Sequence, residues 1–338
     1  MTKIASTVAA NGDVNPYGIA LVSETTGRLV AGDTLVSNFN SKANVQGTGT
    51  TIVQISPRGS AELFAQISQL PAGQTCPGGV GLTTALGVLP GGWVVVGSLP
   101  TTPNGALPSA NPAGCLIVLN ADGSPVETIS NANVVGPWDM TVASTPTSAS
   151  LFVSNALGGN TLTNNATPVA GNCTVVRIDL SLTPAGPPTL VRTTEVGTGF
   201  PWKANKAALV FAPTGLALGR NGTLYVDDTQ TNTVTAIADA MTRTSALAFG
   251  SSTVSSGGSL NQPLGMTLAP NGDIIVVNGN DGNAVEFSPT GKQVATKTLV
   301  KNGAGDLFGL TVTPDGGGIE FVNDGTNVLD LYHPGTSA

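Results

Sequence analysis

Few side chains in this chain of 338 residues are suited to chemistry, and the most conspicuous is Asp139. It stands in the segment GPWDMTVA at a position where five related segments carry glycine. A carboxylate in a crowded place needs a cation, a ligand or hydrogen-bond donors, and capping nearby backbone is the simplest use for it. Asp227 and Asp228 form a second acidic pair. Adjacent strand residues face opposite ways, so only one of the two can point where Asp139 points. Asp139 with Asp228 would suit a hard divalent cation such as calcium, which prefers oxygen ligands.

Other chemistries lack their residues. His333 is the single histidine, and a lone histidine at a strand exit is most simply a solvated surface residue. No serine or cysteine triad is therefore available, and no GxSxG or phosphate-cradling glycine loop occurs. Two-carboxylate glycoside hydrolysis has its residue types in Asp139 with Asp227 or Asp228, but no spacing that favours it. Cys76, Cys115 and Cys173 show no zinc spacing. They allow one disulfide in three pairings plus a free thiol, or three buried thiols. The net charge is −7 with no lysine or arginine cluster, which argues against nucleic acid as a partner. No apolar run reaches the length of a membrane span.

The elements that must position these residues come from a repeat. Six segments begin NPYGIALV, TTALGVLP, GPWDMTVA, APTGLALG, QPLGMTLA and DLFGLTVT, and each is followed by a turn and a second apolar strand such as GWVVVGS or GDIIVVN. The anchors are Gly18, Gly87, Asp139, Gly215, Gly265 and Gly309, spaced by 69, 52, 76, 50 and 44 residues. Such spacing suits four-stranded blades with the excess in loops. The fold expected is all-β, a six-bladed β-propeller forming a single domain over 1–338. Its blades cover about 15–66, 83–130, 136–196, 210–250, 262–300 and 306–333. The last blade runs out of chain after three strands, and residues 3–9 have no other partner, so the N-terminal strand is expected to complete it and remove exposed edges.

These repeats, with their PNGxIxV and PxGxxxA signatures, resemble the NHL-repeat propeller superfamily over essentially the whole chain. The opening ASTVAANGDVNPYGIALV and the stretch DTLVSNFNSKANVQGTGTTIVQISP look like a group of exported bacterial NHL-type proteins of unassigned function. A secreted or periplasmic protein is therefore expected. Met1-Thr2-Lys3 runs straight into a strand-like segment with no signal peptide, so the leader would have been removed, and a cytoplasmic protein is the alternative. Gluconolactonase-type propellers resemble the chain in fold and hold a divalent cation with a Glu, Asn and Asp set. Here the turn that carries their aspartate reads Pro213-Thr214-Gly215. Streptogramin-lyase-type propellers use a catalytic histidine with a metal-binding glutamate and further histidine, which one histidine cannot supply.

A propeller of this kind would place its function on one face. The stretches 38–50, 70–83, 97–114, 155–173 and 197–212 hold the excess length and should share a face, leaving short turns opposite. The second strands end on that face at Asn38, Gly97, Asn155, Asp228, Asn278 and Asn323. Tyr17, Leu86, Trp138, Thr214, Leu264 and Phe308 precede the anchors just above. The expectation is a funnel, aromatic on one arc and rich in carboxamides below, although each Asn could instead fasten a loop and the aromatics could be packing between blades. The preferred function is an extracytoplasmic binding or scaffold propeller, a monomer, that offers this face to a protein, peptide, glycan or small polar ligand. The alternative is a metal-dependent hydrolase or lyase, lactonase-like, at the tunnel mouth.

Overall fold

The computed structural model describes residues 1–108, 113–158, 169–184, 186–205 and 208–335. It is all-β: six antiparallel sheets form a ring, a six-bladed β-propeller. The innermost strands are Val14–Leu21, Leu86–Leu89, Pro137–Thr145, Pro213–Leu218, Pro263–Leu268 and Leu307–Val312. Each packs against the inner strands of the two neighbouring blades, and the last packs against the first. The N-terminal strand Thr2–Ser6 pairs antiparallel with Val328–Tyr332 and becomes the outer strand of the sixth blade. Closure leaves no blade incomplete.

Burial explains the sequence pattern. Second and third strands such as Ile319–Asn323 and Cys115–Leu119 are buried along their whole length, because a blade covers each face. The outer strand Gln293–Thr298 is exposed throughout and reads as polar. Apolar side chains fill the space between successive blades, as with Val94, Ile117 and Phe64 between the first and second. Burial on this scale is the main force holding the ring closed.

The anchor glycines exist because the inner strands approach closely at the axis. A side chain at Gly309 would collide with the carbonyl oxygen of Tyr17, and one at Gly265 with that of Phe308. At the third blade the neighbouring carbonyl, that of Thr214, is drawn instead to the Ser154 hydroxyl at 2.7 Å.

Two expectations about the connections need correction. Residues 197–212 are not a loop: the outer strand of the third blade runs Gly186–Asn205 and folds back on Leu209–Phe211. The face opposite is not confined to short turns either. Residues 22–33 and 238–252 are both long connections there, and each is tied down by a remote arginine or to one. Arg28 donates to the carbonyls of Leu63, Phe64 and Asp122, bridging the first two blades. Arg177, buried and paired with Asp179 at 3.1 Å, donates to the carbonyls of Ala240 and Arg243. Part of the expected loops 97–114 and 155–173 lies outside the described residues.

Cys76 and Cys115 form a disulfide that pins the connection between the first and second blades, and Cys173 is a buried free thiol. His333 lies beside the 313–318 turn, on the face opposite the funnel, with Nδ1 3.1 Å from the Gly317 carbonyl. Among the described residues no helix is long and apolar enough to cross a membrane.

Candidate functional site

The axial tunnel is divided by Tyr17. Its ring lies 5.2 Å from Phe308, 5.7 Å from Trp138 and 6.4 Å from Phe39, centre to centre, and the Trp138 and Phe39 contacts are edge-on. The Trp138 indole N–H donates to the Tyr17 hydroxyl at 2.7 Å, which in turn donates to the Leu264 carbonyl at 3.0 Å. Burial, then the charges of Asp139 and Asp227, push the Tyr17 phenol well above its ordinary range, so it stays a donor. Aromatic edge contacts with satisfied polar ends make this a rigid plug.

Above the plug, a funnel of about 450 Å³ opens on the face that carries the inter-blade connections. Tyr17, Trp138 and Phe308, expected together from the repeat, do meet at its floor, with Leu264 beside them. Phe39, Thr84, Gln46, Asn205, Gln262 and Asn280 also line it, and the repeat gave no sign of them because they lie outside the anchor position. Asp324 is the one acidic group among the described residues of the lining. It accepts from Asn15 at 3.2 Å, and burial with the neighbouring Asp306 raises its carboxyl to about 7.

The carboxamide ring does not join the funnel. Asn38, Asn155, Asn278 and Asn323 are buried, and their side-chain nitrogens are bonded within the blades, while the oxygens of Asn38 and Asn323 are buried without a partner. Asn155 shows the pattern most fully. Its oxygen accepts from the amides of Val135 and Gly136, and its nitrogen donates to the Asn133 carbonyl and the Thr174 hydroxyl. Asn278 holds Asn261 and Ser259 in the same way, and Asn38 donates to the carbonyl of Thr7. Asn323 donates to Asp330. In four blades this residue pairs with the proline that starts the inner strand: Pro16, Pro137, Pro213 and Pro263. Proline offers no N–H there, and the side chain opposite turns to the incoming loop instead.

Asp228 occupies the same place and does the same work. One oxygen accepts from the Thr231 amide and hydroxyl, both at 2.8 Å, while burial raises the carboxyl to about 6. It therefore does not share a site with Asp139, and the expected Asp139–Asp228 pairing is not formed. Among the described residues no three His, Cys, Asp or Glu side chains gather as a metal would require.

The partner of Asp139 is Asp227. The two carboxyls accept from consecutive amides of one bulge: Gly215 N–H donates to Asp227 at 2.8 Å, and Leu216 N–H to Asp139 at 3.3 Å. Asp139 also accepts from the Met140 amide at 2.8 Å, and Asp227 from the Thr214 hydroxyl at 2.5 Å. The second oxygen of Asp227 is fully buried without a partner, in the space that a side chain at Gly215 would fill. Asp139 touches the tunnel space but lies deep along the axis, and burial raises it to about 7 against the help of its two amides. Asp227 rises to about 8, first through burial and then through repulsion from Asp139 and Asp228. The charge of Asp139 is thus one of the causes that keep Asp227 protonated.

No family model matches the chain, and no curated protein is significantly similar to it in sequence. Solved structures are similar in shape. A gluconolactonase from Xanthomonas campestris is 14% identical with a TM-score of 0.58, over 95% of this chain and 87% of that one. A streptogramin B lyase is 15% identical with a TM-score of 0.52, over 97% of each chain. The PQQ-bound aldose sugar dehydrogenase of Streptomyces coelicolor is 13% identical with a TM-score of 0.55, over 98% of this chain and 97% of that one. The shared feature is the six-bladed propeller. At these identities the likeness concerns fold, and chemistry has to be argued from the site.

Proposed function

We propose that this chain is an extracytoplasmic binding propeller of the exported NHL type, monomeric, whose funnel takes the end of a neutral glycan. The observation that carries this reading is the funnel's lining: an aromatic floor with the half-buried Phe308 ring, edged by the amides of Gln46, Asn205, Gln262 and Asn280. Sugar C–H faces pack on aromatic rings, and amides exchange hydrogen bonds with hydroxyls in both directions. Among the described residues the lining has one acidic group and no basic one, which suits an uncharged ligand. The disulfide between Cys76 and Cys115 supports an oxidising compartment. Probing an array of neutral and charged glycans with the labelled protein tests the reading. Selective retention on neutral glycans is the expected result, and retention on none of them would end it.

A hydrolase or lyase reading has one observation in its favour, the Asp139 carboxyl held at about 7, where a general acid is effective. Turnover of a lactone that disappears in Asp139→Asn would replace binding with catalysis. The gluconolactonase and streptogramin B lyase neighbours make lactones and streptogramins the substrates to screen.

A further inference from the structure

Below the Tyr17 plug lies a second cavity of about 300 Å³ that shares only Tyr17 with the funnel. Its walls come from the inner strands of the first blade and of the third to sixth blades. Each of these is an edge strand of its sheet, so its tunnel-facing backbone groups have no strand partner. The hydroxyl residues Thr141, Thr267 and Thr311 add to this polar lining, and Asp139 is its only carboxyl. Leu218 and Leu268 stand where the chamber meets a wider groove of about 800 Å³ among the turns of the opposite face. Access is therefore from the side away from the funnel.

The electrostatics of this chamber are one-sided. Asp139 and Asp227 sit on consecutive amides, and the ion pairs of the described residues involve only Asp179 with Arg177 and Arg192. Neither of the two axial carboxyls has a cation, and the buried second oxygen of Asp227 has no hydrogen-bond partner at all. When both carboxyls are ionised their charges repel, and a bound positive charge would relieve the repulsion. A calcium or magnesium ion takes six or more oxygens, usually with carboxylates among them, and only one carboxyl reaches the chamber. An ammonium group asks for less: its three N–H donors match one carboxylate, one threonine hydroxyl and one strand carbonyl.

We infer that the chamber beneath Tyr17 is a second binding site, for the primary ammonium group of a small amine that enters from the face opposite the funnel. Asp139 is its counter-ion, and the threonine and backbone groups orient it. The site is independent of the funnel's ligand, and its failure would leave the glycan reading untouched.

Calorimetric titration with methylammonium and with 1,4-diaminobutane, with calcium chloride as competitor, tests the inference. The expected result is saturable amine binding that weakens about tenfold or more in Asp139→Asn. Leu268→Trp, which narrows the entrance without touching the carboxyl, should also block it, and it serves if Asp139→Asn does not fold. Phe308→Ala, on the far side of the plug, should leave it unchanged. No binding of either amine, binding that survives both Asp139→Asn and Leu268→Trp, or displacement of the amine by calcium at lower concentration would each overturn the assignment.

Discussion

Above the Tyr17 ring the tunnel is walled largely by side chains from the connections and strand ends, including Phe39, Gln46, Asn205 and Asn280; below it the walls are the inner strands of the repeat. The upper space is aromatic and amide-lined, and the lower is polar with a carboxyl pair against its wall. The same ring of blades thus supports two chemically different compartments. What separates them is one tyrosine held by Trp138 and Leu264. Individuality above the plug comes from inserted segments. Below it, individuality comes from two departures from the repeat, Asp139 at an anchor and Asp227 behind another.

If the upper compartment depends on its connections, loosening one should damage it and spare the lower. The largest expected effect is removal of the disulfide. Cys76→Ser with Cys115→Ser opens a link across 39 residues of chain, which should cost roughly 3–4 kcal/mol in denaturant unfolding. The same variant should weaken ligand capture in the funnel, because Leu82 and Thr84 ride on the pinned connection. Unchanged capture would show that the funnel does not need that support.

A smaller effect should mark the lower compartment. Asp139 and Asp227 have folded values of about 7 and about 8, against an ordinary 3.8. The folded chain therefore holds protons that the unfolded chain releases. Their favourable share of stability is complete below about pH 4 and is lost as pH rises through 7 to 8. Urea unfolding should show stability falling over that window. Asp227→Asn should flatten the slope and raise stability above pH 8 by on the order of 2 kcal/mol. A slope unchanged in Asp227→Asn would mean that the pair is not the source.

The ring architecture was legible because the anchor glycines and second strands recur, and the last blade visibly lacked a strand that residues 3–9 could supply. Tyr17, Trp138 and Phe308 were legible for the same reason, since each precedes an anchor. The Asn residues were found in position, and fastening a loop, one of the two roles open to them, is the role that Asn155 and Asn278 take. A strand residue opposite an inner-strand proline turns to the loop, and repeat alignment carries no information about that turn. Parity also chose Asp227 over Asp228 as the neighbour of Asp139, because the former points back to Gly215 and the latter to Thr231. The rest of the funnel came from segments with no repeat counterpart. The extent of the opposite face was hidden because Arg28 and Arg177 fasten its long connections through contacts remote in sequence.

The most direct test of the central claim is isothermal titration of the wild type, Phe308→Ala and Asp139→Asn with a neutral oligosaccharide retained on the array. Loss of about tenfold in affinity in Phe308→Ala, some 1.4 kcal/mol, with Asp139→Asn binding as the wild type does, is the expected result. Equal affinity in Phe308→Ala, or loss confined to Asp139→Asn, would contradict it and move the site from the funnel to the carboxyl pair below.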